Sequence, residues 1–292
     1  MHVKRVDYVF FTSGEGTRDQ IVLSEKRIAD MQALHITCRM KKRRKDQKRW
    51  ILPKQQKKKM LTGLRHVLRH YDLSDSVIGA DRRMAHDLQL EELLLQARKL
   101  ELLQNRERIL RQVGTGEQTV SKAHRHMLLV LDSEKWNRKE LYTILLTAKD
   151  LYEEISLLCE KDSNSIRSLA TELYEECGLV LHIRTGGEEG IRADFVLFLL
   201  RDWQLEQWNM VEFGTAYTVV DVEAGPEIRR CRERLMEHGI KREGRHRIYA
   251  GLVYEQKGKQ LPYQFGANLA WQKPSLYEEF EISIVAIYRM EW

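Results

Sequence analysis

Between His126 and Thr185 the chain carries three short apolar runs, residues 127–131, 155–159 and 179–183, and the stretches that separate them have helical spacing. Runs of about five apolar residues suit buried strands, and helix-length connections between them are the crossovers that parallel strands need. The pattern is strand, helix, strand, helix, strand. Each run ends on polar residues: Asp132 and Ser133, then Glu160, Lys161 and Asp162, then Thr185 and Gly186. The first helix is expected to begin near Asn137 and to bury Leu141, Ile144, Leu145, Ala148 and Tyr152. Its successor uses Ile166, Leu169, Ala170, Leu173 and Tyr174, with Gly178 as the stop.

Two further strands are read at 195–200 and 216–220, followed by a helix that Pro226 opens and Gly239 closes. The segments 248–254, 263–271 and 280–288 read as antiparallel strands at an edge, with a turn at 256–259. The expected fold class is therefore α/β: a mostly parallel sheet with flanking helices and an antiparallel C-terminal extension. A basic helical N-terminal region is expected to precede it.

Charge divides the chain in the same way. Residues 1–125 hold 28 Lys and Arg against 15 Asp and Glu, a net +13, while residues 126–292 hold 21 against 28, a net −7. The expected domains are a basic, mainly helical region at 1–115 with an N-terminal strand at 6–11, and an α/β domain at 120–292. Residues 114–119 form the expected linker.

The most biased stretch is 41–59, where eleven of nineteen residues are basic. That many like charges repel unless salt or a polyanion relieves them, so the stretch is either a solvated linker or an arm that contacts phosphates. The candidate nucleic-acid-binding residues are Lys41, Lys42, Arg43, Arg44, Lys45, Lys48, Arg49, Trp50, Lys57, Lys58 and Lys59. Trp50 is suited to stacking on a base, to a headgroup region, or to anchoring the arm on its own protein.

Upstream, a run at 6–11 leads into Thr12, Ser13, Gly14, Glu15, Gly16 and Thr17, then into Ile21, Ile28, Met31, Leu34 and Cys38 at helical spacing. A strand, a glycine turn and a helix are expected, a junction whose free amides suit an anion. Residues 81–113 lack Pro and Gly and read as one long helix. Leu88, Leu95, Leu102 and Ile109 recur every seven residues, but Glu91, Arg98 and Asn105 stand where a second apolar seam position belongs. The helix is expected to pack on its own protein or to mediate helical self-association.

Acidic residues at strand ends give a second candidate site. Asp132, Glu160, Asp202 and Asp221 would collect beyond the carboxyl ends of a parallel sheet, where carboxylates can hold Mg²⁺. The glycine loop 185–190 carries two glutamates, which repel a phosphate. The pairs His124 with His126 and His66 with His70 lack a third ligand nearby, and no serine has the flanking glycines of a nucleophile elbow. Cys38, Cys159, Cys177 and Cys231 have no Cys-x-x-Cys spacing and read as reduced thiols, in keeping with a cytoplasmic location. No run reaches the ~20 apolar residues of a membrane span.

Three readings follow. The first is a cytoplasmic binding or regulatory protein that engages nucleic acid or another polyanion through its basic N-terminal region. The others are a metal-assisted phosphoryl-transfer or hydrolytic enzyme working from acidic strand ends, and a helix-mediated interaction scaffold.

Overall fold

The structure is a computed structural model that describes residues 4–28, 30–41, 54–114, 126–131, 136–159, 163–185, 191–199, 211–221, 245–261 and 265–291. It has mixed α/β content and divides into two compact units, Met1–Ala97 with Val253–Val285, and Arg98–Leu252 with Ala286–Trp292.

The first unit contains β1 (Lys4–Arg5), β2 (Tyr8–Gly16), β3 (Gln20–Ile28), β4 (Met31–Lys41), α1 (Lys54–Leu68), β5 (Tyr71–Asp72), β6 (Val77–Ala80) and α2 (Arg82–Leu88). The helix α3 (Glu91–Gln104) crosses the division. One sheet has the order β3-β4-β2-β6, and β1 pairs with β5 in a separate two-stranded sheet. β4 and β6 both run parallel to β2, whereas β3 and β4 are antiparallel, with Ile28 opposite Met31.

Successive strand residues face opposite sides of a sheet, which sorts the side chains here. Val9, Phe11, Leu34, Ile36 and Cys38 are buried together with Met60 and Leu64 of α1, Met84 and Ala85 of α2, and Leu94 of α3. The alternate residues Phe10, Thr12, His35 and Thr37 are only half-buried. α1 approaches closely at Gly63, where a Cβ would stand 2.8 Å from Ile21 Cδ1. Asp81 begins α2 by accepting from Met84 N at 2.8 Å, and its other oxygen accepts from the Ser13 hydroxyl at 2.8 Å.

The second unit adds α4 (Arg106–Gly114), β7 (His126–Leu131), α5 (Arg138–Lys149), β8 (Glu154–Cys159), α6 (Asn164–Cys177), β9 (Leu181–Arg184), β10 (Ile191–Leu199), β11 (Val211–Asp221) and β12 (Arg245–Gln256). The strands lie in the order β12-β11-β10-β7-β8-β9, and every pair along that path is parallel. β7 and β8 are buried from their second residue on, which is why their sequences are continuous apolar runs rather than alternating ones. α5 starts at Asn137 with a capping box, in which Asn137 accepts from Glu140 N at 2.9 Å and Glu140 accepts from Asn137 N at 3.1 Å. α6 ends at Gly178, whose φ of 69° is the left-handed cap expected of glycine.

The remaining elements are β13 (Lys259–Gln260), α7 (Phe265–Gln272), α8 (Pro274–Glu279) and β14 (Ser283–Glu291). β12 turns into β13 through Lys257 and Gly258, at φ 48° and 73°, the two positive values of a tight hairpin. Strands β12 and β14 both span the division and pair with one another.

The basic helical N-terminal region is corrected: the first unit is rich in strands. Residues 20–41 form a hairpin rather than a helix, because Leu34, Ile36 and Cys38 alternate with His35 and Thr37, a two-residue period that outweighs the looser helical spacing. Gly14 and Gly16 lie inside β2, so the strand-to-helix junction expected to suit an anion does not form there.

Residues 81–113 are three helices, not one. Gln89 adopts φ 60° as the cap of α2, and Asn105 separates α3 from α4. The heptad leucines are thereby split between helices, and Leu94, Leu102, Ile109 and Leu110 are buried within the protein itself. Residues 265–271 are helical where a strand was expected, and β12 pairs parallel to β11 on one side; β13 is antiparallel to it in the hairpin, and β14, which overlaps the expected strand at 280–288, also pairs with β12. The expected helix at Pro226 and the linker after Gly114 lie outside the described residues.

Candidate nucleic-acid interface

α1 is a basic helix. Its sequence holds Lys54, Lys57, Lys58, Lys59, Arg65 and His66 with no acidic residue, and Arg69 and His70 follow it directly. Met60 and Leu64 anchor the inner side at 5% and 3% exposure. Lys58, Thr62 and Arg65 recur at intervals of four and three, which places them on one face of the helix, Arg69 follows in the turn at its end, and all four are exposed. Lys59, His66 and His70 extend the exposed surface beside them, and the His66 and His70 rings stand edge-on at 6.4 Å. Among the described residues, Lys58, Lys59, Arg65 and Arg69 form no ion pair.

Lys57 faces differently. It is half-buried and, with Arg83 and His86, lies close enough to Asp87 to draw its carboxyl down. Burial is the larger influence and holds that carboxyl above its ordinary range. Asp87 is 2% exposed, and among the described residues neither carboxylate oxygen has a hydrogen-bond partner. Burial, with the charges of Asp81 and Asp87 adding to it, pushes the Cys38 thiol up to about 11, which leaves it protonated at neutral pH.

Of the expected phosphate-contacting residues, Lys41 is the last residue of β4, Lys57 to Lys59 belong to α1, and Lys42, Arg43, Arg44, Lys45, Lys48, Arg49 and Trp50 lie outside the described residues. Arg65 and Arg69 were missed. Their signal is in the sequence, as a helical spacing that carries the basic run past Lys59. Of the expected Mg²⁺ ligands, Asp221 is the last residue of β11, while Asp132, Glu160 and Asp202 lie outside the described residues. The described residues contain no cluster of three or more His, Cys, Asp or Glu able to hold a metal ion. His126 bonds through Nε2 to the Ser156 hydroxyl at 2.8 Å, and it sits at the amino end of β7, away from the carboxyl strand ends.

The start of α5 is also occupied from within. Glu140 holds the Asn137 amide, and Lys99 pairs with Glu140 at 3.2 Å while lying 4.4 Å above the Trp136 ring. The Asn137 amide is thereby taken and is not open to a phosphate, as it would be at an uncapped helix N-terminus. No helix among the described residues is long and apolar enough to cross a membrane. No protein-family model, no curated protein and no solved structure matches this chain.

Proposed function

We propose that the protein binds nucleic acid or another polyanion through its basic first unit and acts as a binding or regulatory protein in the cytoplasm. The observation that carries this reading is the exposed face of α1, where Lys58 and Arg65 align beside Lys59 without an acid in the helix and exposed Arg69 follows at its end. Cations held on one side of a rigid helix neutralise successive phosphates without rearrangement, and the released counterions make such binding salt-dependent. The test is elution from heparin and binding to DNA across a salt series, for the parent and for Lys58→Gln/Lys59→Gln/Arg65→Gln/Arg69→Gln. The expected result is a shallower salt dependence in the variant, by about 0.7–0.9 in log–log slope for each phosphate no longer neutralised. Equal slopes overturn the reading.

A second reading concerns the parallel sheet. Counted from β7, its order is 3-2-1-4-5-6, that of doubly wound, Rossmann-like sheets, which bind ligands beyond the carboxyl ends where the order reverses. Here that point lies between β7 and β10. This supports a ligand-sensing role for the second unit, with a ligand that places no phosphate at the α5 start, where Glu140 stands.

A further inference from the structure

The sheet of the first unit has a second face, opposite α1, whose two ends differ. At one end Tyr8, Ala33 and Val77 are buried at 2%, 8% and 0% exposure, and the Phe265 ring of α7 meets Tyr8 edge-on at 4.5 Å. Two residues further along each strand, Phe10, Thr12, His35 and Thr37 are half-exposed. Phe10 is opposite His35 in the register of β2 and β4, and their rings are 5.8 Å apart. The Phe10 ring lies over Gly79 of β6, where a Cβ would collide with it. Thr12 Oγ1 bonds to His35 Nε2 at 2.9 Å and to Thr37 Oγ1 at 3.1 Å, which fixes the imidazole beside the phenyl ring.

The charged residues that β2, β3 and β4 place on this side are cations. Lys26, opposite Ala33, and Arg39, opposite Gly14, are exposed, and no residue on this side of β2, β3 or β4 is Asp or Glu. Asp81, at the end of β6, is the acid nearby: its carboxylate accepts from the Ser13 hydroxyl and the Met84 amide, and its charge acts on His35 against that of Lys26. Lys26 and Arg39 are six strand positions apart in register, roughly 20 Å, with the two rings between them.

We infer that this half-exposed end of the sheet, with Phe10 and His35 between Lys26 and Arg39, is a stacking surface for a single-stranded nucleic acid. The inference rests on the polyanion reading for its backbone charge and goes beyond it in assigning the contact to bases. Aromatic rings on an open sheet receive bases that are free of a partner strand; a duplex keeps its bases stacked inside, and a sulfated polysaccharide has none. The cations at either end take the phosphates on both sides of the stacked bases.

The experiment uses the full chain and a fluorescently labelled single-stranded DNA of mixed sequence, with heparin and the matching duplex as comparisons. Phe10→Leu keeps an apolar side chain against Gly79 and removes the ring, and His35→Ala removes the second ring independently. Each is expected to weaken single-strand binding about five- to tenfold while leaving heparin elution and the salt slope at the parent values. Lys26→Gln/Arg39→Gln is expected to lower the single-strand slope by about 1.4. Parent affinity in both ring variants overturns the inference, and if the parent still binds heparin, the α1 reading stands without it. A parent that binds neither probe takes both down.

Discussion

The side-chain amide of Gln272 holds both backbone groups of Ile78: Oε1 accepts from Ile78 N and Nε2 donates to Ile78 O, each at 2.8 Å. β6 is an outer strand of its sheet, so one side of its backbone has no strand beside it. A bare edge is a template for a foreign strand, and Gln272 closes it with the two bonds a neighbour would make. Gln272→Ala is expected to cost about 1–3 kcal/mol, because two part-buried backbone groups lose their partners. Gln272→Glu keeps an acceptor and loses the donor, and falls between. Urea unfolding at constant m-value is the measurement, and a loss under about 0.5 kcal/mol in Gln272→Ala would show that water replaces the amide.

Asp87 works against the fold at neutral pH. Its folded-state pKa is raised, chiefly by burial, so the native state holds this proton more tightly than the unfolded chain does. The penalty of the buried charge is absent below the ordinary value of 3.8 and grows as pH rises through the folded value. Asp87→Asn imitates the protonated form. Its Tm is expected to exceed the parent's at pH 7, with the difference closing as pH approaches about 4. A variant less stable than the parent at pH 7 would mean that attraction from Lys57 and Arg83 outweighs burial.

The second unit was legible because its signals are local. Two buried apolar runs, an Asn with Glu three residues on, and a Gly after the last apolar turn each specify one element with little help from tertiary contacts, and β7, α5, β8 and α6 fall where those signals put them. Residues 20–41 were not legible for the opposite reason. Ile21, Ile28, Met31, Leu34 and Cys38 satisfy a helical spacing, and only pairing with β2 makes the two-residue alternation of Leu34, Ile36 and Cys38 prevail. Strand pairing is a long-range fact that a window of residues does not contain.

The candidate interface was legible in part. Net charge drew attention to residues 41–59, and composition located Lys57, Lys58 and Lys59. The face itself depends on helix phase, which is why Arg65 joins it and half-buried Lys57 acts on Asp87 instead. The pairing of Phe10 with His35 depends on register between β2 and β4, and register has no signature in composition.

His35 titrates in a window that can be observed directly. Burial, followed by the Lys26 charge, lowers its pKa below the ordinary 6.5, while Asp81 pulls the other way. The neutral ring contributes stability that is complete above 6.5 and is lost as pH falls through the folded value. Ring-proton NMR is expected to place the midpoint below 6.5, and His35→Gln should remove that part of the acid destabilisation. Thr12→Val removes the hydroxyl between His35 and Thr37 and is expected to cost about 1 kcal/mol. A His35 midpoint at or above 6.5 would mean that Asp81 governs the ring.

Two glycines of the first unit are required for opposite reasons, and one pair of substitutions separates them. At Gly266 in α7 the backbone is ordinary helix, but a Cβ would run into the Tyr254 ring, which is itself buried at 4% exposure. At Gly258 nothing lies within 4 Å of an added Cβ, yet φ is 73°, where an L side chain is strained. Gly266→Ala is expected to cost about 1–3 kcal/mol through overpacking, and Gly266→Asn more, because the larger side chain deepens the collision. Gly258→Ala is expected to cost about 1–2 kcal/mol, but Gly258→Asn less, because asparagine enters the left-handed region readily. The order of Ala and Asn therefore reverses between the two sites, and thermal unfolding of the four variants measures it. The same order at both would show that helix α7 can shift away from Tyr254 and that space is not what Gly266 provides.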